Sequence, residues 1–393
     1  MALLRPGTIG ILPAGALGVA FYHHLTRKLR EVDERVFFIA RRGSASSEAL
    51  RSAARLRVSV DGAIRELTHA ALWAPDLLAS AEAGALPEVV LVCTQPDQLL
   101  GAIAHAVQLI EWLHHTGRLG DDAAEFPAFI LCSNGIYFQR VRQFLLEKLE
   151  ESTLLGRLPD LWPALMPRLV GKFLRGVTIQ TGQREGAGAD ALYRPGPPGR
   201  TLLTGGDPAV RQRCAELLGA RGGWFEVAPQ SSPTRVEFDK ALINLSVNLL
   251  GQLAAIDHDG SFRPLTVDEI LRDDGRGESH ELTARVVEIG RAVRAFGPEE
   301  DVEAIWSEML AGAATVAGHV PSSLQWIEQQ LRLGQLQPRL TPTETWLLEP
   351  LIRYAHAAGL EEAARYFEKL TARVEHRLAL AARRKNPLPE HPH

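Results

Sequence analysis

Short apolar runs alternate with longer amphipathic stretches through the first half of the chain. Residues 8–12 (TIGIL) form one such run, a glycine-rich turn follows, and Val19, Phe21, Leu25 and Leu29 then fall at helical spacing. A second run at 36–40 ends in Arg41-Arg42-Gly43-Ser44, and two more, at 89–93 and 128–132, are bounded by polar residues or turn formers. Runs this compact predict strands buried on both faces. Between Gly182 and Gly206, glycine and proline punctuate the chain, which predicts hairpins and loops at the far edge of the sheet. From about Thr234 the spacing is helical, most clearly over 238–256, 281–296 and 343–358.

Strands alternating with helices predict an α/β fold: an N-terminal Rossmann-type doubly wound parallel sheet over 1–230, followed by an all-α C-terminal domain over 231–383. The boundary falls near Ser231-Ser232-Pro233, and residues 384–393 read as a disordered polar tail. Segments 111–125 and 146–167 read as insertions on the sheet domain. A length of 393 residues suits two cores. With 43 Lys and Arg against 47 Asp and Glu, the formal charge of -4 gives no field for a nucleic-acid backbone or an acidic membrane. The three cysteines, Cys93, Cys132 and Cys214, show no paired spacing, so neither a disulfide framework nor a zinc site is expected, and a reducing cytoplasm fits. The opening resembles a secretory leader, but Pro13 and the glycines at 10, 15 and 18 interrupt it. No window offers the roughly 18 uninterrupted apolar residues of a spanning helix, so a soluble protein is expected.

Pro13-Ala14-Gly15-Ala16-Leu17-Gly18 directly follows a strand and opens a helix, the context in which a GxGxxG fingerprint binds a dinucleotide. Gly15 would let the backbone approach a pyrophosphate, Gly18 would let helix pack on strand, and the helix N-terminus would supply amide donors. Pro13 stands where the first glycine would be; the alternative is a tight turn without a ligand. Asp33 and Glu34 lie at the spacing of a ribose-binding acid but precede the second strand, whereas its carboxyl end carries Arg41 and Arg42. Guanidinium forks match a 2′-phosphate, so NADP is expected over NAD. The turns Thr94-Gln95-Pro96 and Ser133-Asn134-Gly135 also fall at strand carboxyl ends, which puts Thr94, Gln95 and Asn134 at the crevice edge, although Asn-Gly is equally a turn pair.

In the helical half, Lys240, Asn244 and Asn248 are spaced four and four, so they form one oblique stripe with Glu237 close by. A long amine and two amides on an apolar helix are costly to bury unpaired; the stripe faces either a substrate or water. Asp257-His258-Asp259 reads as a solvated turn, and no metal site is expected.

Together these residues resemble the ketopantoate reductases (2-dehydropantoate 2-reductases) of the 6-phosphogluconate-dehydrogenase-like superfamily, from Thr8 to about Arg373. The resemblance is carried by PAGALG, Arg41-Arg42, Asn134-Gly135, KALIN at 240–244 with Asn248, VPSSLQWI at 320–327 and the segment from Thr341. It implies NADPH-dependent reduction of a small 2-oxo acid, most simply 2-dehydropantoate to pantoate in pantothenate and coenzyme A synthesis. Lys240 would be the general acid and Glu344 the carboxylate near it. Asn244, Asn248 and Ser323 would hold the substrate, and Asn134 would lie between nicotinamide and substrate. The chain departs from the family at Gln95, where a lysine is usual, in the spacing of 21 positions from serine to glutamate (an inserted loop near 328–340), and at Trp346 and Pro350. Trp346 would narrow a pocket. Reduction of another 2-oxo or imino acid and a non-catalytic NADP-binding sensor are the rival readings, and a homodimer is left open.

Overall fold

A computed structural model describes residues 3–26, 35–69, 72–152, 162–186, 188–228, 232–273 and 277–384. Leu29, Asp33, Glu34, Ser231, residues 153–161 of the second insertion and residues 385–393 of the tail lie outside them. The chain divides into two units, Met1–Asn134 with Phe138–Pro233, and Gly135–Tyr137 with Thr234–His393.

The first unit contains β1 (Leu4–Leu12), β2 (Val36–Ile39), β3 (Leu56–Val60), β4 (Ala63–Leu67), β5 (Trp73–Ala74), β6 (Leu86–Val92) and β7 (Ala128–Leu131). It continues with β8 (Phe173–Thr178), β9 (Gly182–Glu185), β10 (Leu192–Pro195), β11 (Thr201–Thr204) and β12 (Phe225–Val227). The main sheet runs β12-β11-β8-β7-β6-β1-β2-β5. Its central strands read as continuous apolar runs because both faces are covered: Ile9, Ile11, Val90, Leu91 and Ile130 are all buried. Pairing is parallel except between β8 and β11, where Thr201 lies opposite Thr178 in an antiparallel ladder. The expected Rossmann-type doubly wound parallel sheet is therefore present, with one antiparallel pair near its edge.

The hairpin expected at the far edge is also relocated. β9 and β10 pair antiparallel, but β10 then joins β3 in parallel, building a separate sheet of order β4-β3-β10-β9. This small sheet rests on the first helix, Ala16–Leu25: Tyr193 Oη donates to the Ala14 carbonyl at 3.0 Å, and a Cβ on Gly182 would come within 2.3 Å of the Ala16 carbonyl.

The second unit is helical, with its core built on Phe238, Leu245, Leu282, Val286, Leu351 and Phe367. The single helix expected over 238–256 is three pieces: an α-helix Pro233–Asn244, a π-helical turn Leu245–Leu249, and an α-helix Leu250–Ala255. No helix among the described residues is long and apolar enough to cross a membrane.

Candidate active site

In the first unit, β1 ends at Leu12, and the Leu12–Pro13 peptide is cis. Gly15 N then donates to Pro13 O at 2.9 Å, closing a tight turn into the helix Ala16–Leu25. Gly18 is required by packing, since a Cβ there would lie 2.3 Å from the Pro13 carbonyl and 2.9 Å from the Ile11 side chain. Gly15 differs: a Cβ would meet nothing within 4 Å. Packing within the protein therefore gives no reason for glycine at 15, whereas a ligand against the backbone does. No side chain caps the first turn of this helix, so its amide donors are available to an anion.

The neighbouring strand ends carry further polar groups. Thr94, 4 % exposed, has a buried hydroxyl with no partner, and its carbonyl accepts from Ser133 Oγ at 2.7 Å. Gln95 begins the helix Pro96–His115 without capping it, and Asn134 is exposed. Arg41 is half-buried and Arg42 exposed, in the turn that leads to Ser44, whose hydroxyl accepts from Ser47 N at 3.3 Å and caps the next helix, Ala45–Ala53. A phosphate-bearing dinucleotide fits this set: an open glycine, uncapped amides, an orphaned hydroxyl and two guanidinium groups. Cys93 and Cys132 are buried, and burial, followed by the adjacent Cys132 thiol, pushes the Cys93 thiol well up, which leaves it inert.

In the second unit the stripe on the helix forms, with a more specific arrangement than spacing foretold. Ser323 N–H, which can only donate, faces Asn248 Oδ1 at 3.4 Å, and Ser323 Oγ lies 3.2 Å from the same oxygen. This orients the Asn248 amide, whose Nδ2 points to Asn244 Oδ1 at 3.5 Å. Asn244, 6 % exposed, is left with a buried Nδ2 that has no acceptor. One turn earlier, Lys240 is half-buried, and burial pulls its ammonium pKa down to about 8. Among the described residues nothing pairs with that ammonium. The π turn begins just after Asn244, where one extra residue alters the phase between Lys240 and Asn248.

Glu344 is deeply buried, 3 % exposed, at the start of the helix Pro342–Ala357. Its Oε2 accepts from Thr341 N at 2.7 Å and from the Thr341 hydroxyl, while the Thr341 side chain accepts from Glu344 N, a complete capping box. Its Oε1 accepts from Gln252. Burial raises its pKa against these hydrogen bonds. The structure thus gives Glu344 the partners Thr341 and Gln252, and pairs it with Lys240 in no hydrogen bond or ion pair. Gln252 was missed from sequence, although it continues the four-residue spacing past Asn248; the T-x-x-E signature of the cap was equally legible. Trp346 packs against the segment after β7: its carbonyl accepts from Ile136 N at 3.0 Å, and its ring meets Tyr137 edge-on. Gly135, at φ +127°, sits 3.1 Å short of Trp346 Cβ for any added Cβ. Glu237, also buried, accepts from Tyr137 N at 3.2 Å. Asp257 and Asp259 bond Ser261 in an exposed turn, and no group of three or more metal-ligating side chains occurs among the described residues.

Neither a protein-family model nor a curated protein sequence matches the chain. Solved structures do match over almost its full length. It is similar to D-mandelate dehydrogenase with NADH and anilino(oxo)acetate, at 18% identity and a TM-score of 0.62, covering 95% of this chain and 99% of that one. It is similar to 2-dehydropantoate 2-reductase from Methylococcus capsulatus, at 17% identity and 0.56, covering 96% and 98%. A dimeric ketopantoate reductase from Staphylococcus aureus matches at 12% identity and 0.53, covering 95% and 99%. The chain has the ketopantoate reductase fold.

Proposed function

We propose that the protein is an NADP-dependent oxidoreductase that reduces a small 2-oxo acid to the 2-hydroxy acid, with 2-dehydropantoate as the simplest substrate. The observation that carries this reading is the pair of unspent donors one turn apart, the Lys240 ammonium and the buried Asn244 amide. A buried donor without an acceptor is rare unless a ligand or water completes it. Two together suit the oxygens of an anionic substrate. The solved neighbours that share the fold act, by their names, on 2-oxo and 2-hydroxy acids, which supports the same class here.

When bound, the cofactor supplies a hydride to the carbonyl carbon. Lys240 meets the negative charge that develops on the carbonyl oxygen and gives up a proton to it. A pKa of about 8 keeps the amine charged at neutral pH yet lowers the cost of releasing that proton. Asn244, Asn248 and Ser323 orient the substrate's carboxylate or hydroxyl as neutral donors, holding an anion without trapping it. Glu344 Oε1 keeps a lone pair beyond Gln252, and that atom is assigned to the reacting alcohol. In the sheet unit, residues Pro13 to Gly18 with Thr94 and Gln95 hold the dinucleotide, Arg41 and Arg42 hold its 2′-phosphate, and Asn134 lies at its nicotinamide end. Three free, buried cysteines suit a reducing cytoplasm.

The test is NADPH consumption over a panel of 2-oxo acids that includes 2-dehydropantoate and the 2-oxo acid of mandelate, with Lys240→Ala as control. Turnover on one of them, lost in the variant, supports the reading. NADPH binding without turnover on any member favours a sensor.

A further inference from the structure

Strand register and one side-chain hydrogen bond bring the turn after β2 beside two helices. β5 runs parallel to β2 with Ile39 opposite Ala74, and Ala40 N continues the ladder to Ala74 O at 3.2 Å. The turn bearing Arg41 and Arg42 therefore leaves the sheet beside the segment that reaches Asp76. Asp76 Oδ1 is engaged as the cap of the helix Leu77–Glu82, accepting from Leu78 N at 3.1 Å and Ala79 N at 3.0 Å. Arg42 Nη1 donates to Gln108 Oε1 at 3.0 Å on the helix Pro96–His115. His105 stands three residues before Gln108, hence on the same face, and is half-buried.

We infer that His105 is a specificity residue of the adenosine-ribose subsite, which becomes a third cation against a 2′-phosphate by taking up a proton when NADPH binds. This rests on the reading that Arg41 and Arg42 hold that phosphate. In the free protein, burial, then the charge of Arg42, and more weakly that of Arg41, lower the His105 pKa; Asp76 acts in the opposite direction. Arg41, Arg42 and Asp76 are the charged groups that act on the imidazole, and burial with the two guanidinium charges outweighs Asp76, so the neutral form is favoured and repulsion toward the guanidinium groups is reduced. A phosphate dianion beside it reverses the local field and favours the imidazolium. A bare 2′-hydroxyl does not. NADPH binding therefore takes up a proton that NADH binding does not, and NADPH affinity falls as pH rises from the lowered pKa of free His105 toward its raised value in the complex.

The experiment is calorimetric titration with NADPH and with NADH, in two buffers of different ionisation enthalpy, on the wild type and His105→Asn. Wild type takes up a fraction of a proton at pH 7 with NADPH and none with NADH, and its NADPH affinity drops up to about tenfold per pH unit within the window. His105→Asn loses the uptake and the slope. Uptake unchanged in His105→Asn, or equal for both cofactors, overturns the inference. Equal affinity of wild type for NADPH and NADH instead overturns the Arg41–Arg42 reading beneath it. The titration of the imidazole, followed by NMR in wild type with and without NADPH, reads the same upward shift without any substitution, and a resonance that stays put on binding refutes it.

Discussion

An ammonium kept half-buried without a counter-charge costs stability, and the cost at Lys240 can be measured. Burial lowers its pKa from 10.5 to about 8, and at about 1.4 kcal/mol per unit the charged form destabilises the fold by about 3 kcal/mol. The sign follows from linkage. The folded state prefers the neutral amine, so the penalty is fully present below pH 8, shrinks as pH rises through the interval from 8 to 10.5, and vanishes above it. Lys240→Met keeps the length of the side chain and removes the charge. In urea unfolding at pH 7, the variant should be more stable by up to about 3 kcal/mol, and the advantage should narrow between pH 8 and 10.5. The same variant should have lost turnover, because the penalty reflects a group held ready for a ligand. A Met variant less stable than wild type at pH 7, or a difference that does not change with pH, would show instead that the ammonium is paired or solvated.

Other substitutions separate the parts of the account. Gly15→Ala should fold as wild type, since its Cβ enters open space, yet bind the dinucleotide at least tenfold more weakly; Gly18→Ala should lower the unfolding temperature even without cofactor, because its Cβ meets the Pro13 carbonyl. Thermal unfolding with and without NADPH reads both. Glu344→Gln should preserve the capping box and the fold while lowering turnover, whereas Glu344→Ala should also cost about 1–2 kcal/mol in denaturant unfolding. Arg41→Ala combined with Arg42→Ala should weaken NADPH by tenfold or more and leave NADH nearly unchanged, as read by cofactor fluorescence titration.

What could be read from the chain follows from where periodicity carries information. Strands buried on both faces, such as β1, β6 and β7, stand out as apolar runs, and the turn from Pro13 to Gly18 stands out because its glycines follow one of them. β3 and β4 did not: β4 is mostly exposed, so its sequence AIREL carries no burial signal, and their sheet is completed by β10, more than a hundred residues away. The antiparallel junction of β8 and β11 escaped for the same reason, since pairing direction leaves no mark on composition. Lys240, Asn244 and Asn248 were legible from their spacing, but the π turn was not, because a change in hydrogen-bond register leaves the apolar pattern intact. The commitment of Glu344 to Thr341 and Gln252 was half legible: the cap has a signature, while the glutamine 92 residues upstream is brought to it only by tertiary packing.

In the proposed reaction the Lys240 ammonium protonates the carbonyl oxygen as hydride arrives at carbon. This step is tested most directly by the pH dependence of kcat/KM for NADPH-driven reduction of the best 2-oxo acid, which reads the pKa of the unliganded enzyme, in wild type and in Lys240→Ala. Wild-type kcat/KM should be level below about pH 8 and fall tenfold per unit above it, and the variant should retain cofactor binding but lose about a hundredfold or more in rate with no such break. A variant that turns over at the wild-type rate, or keeps the same break near pH 8, would contradict it.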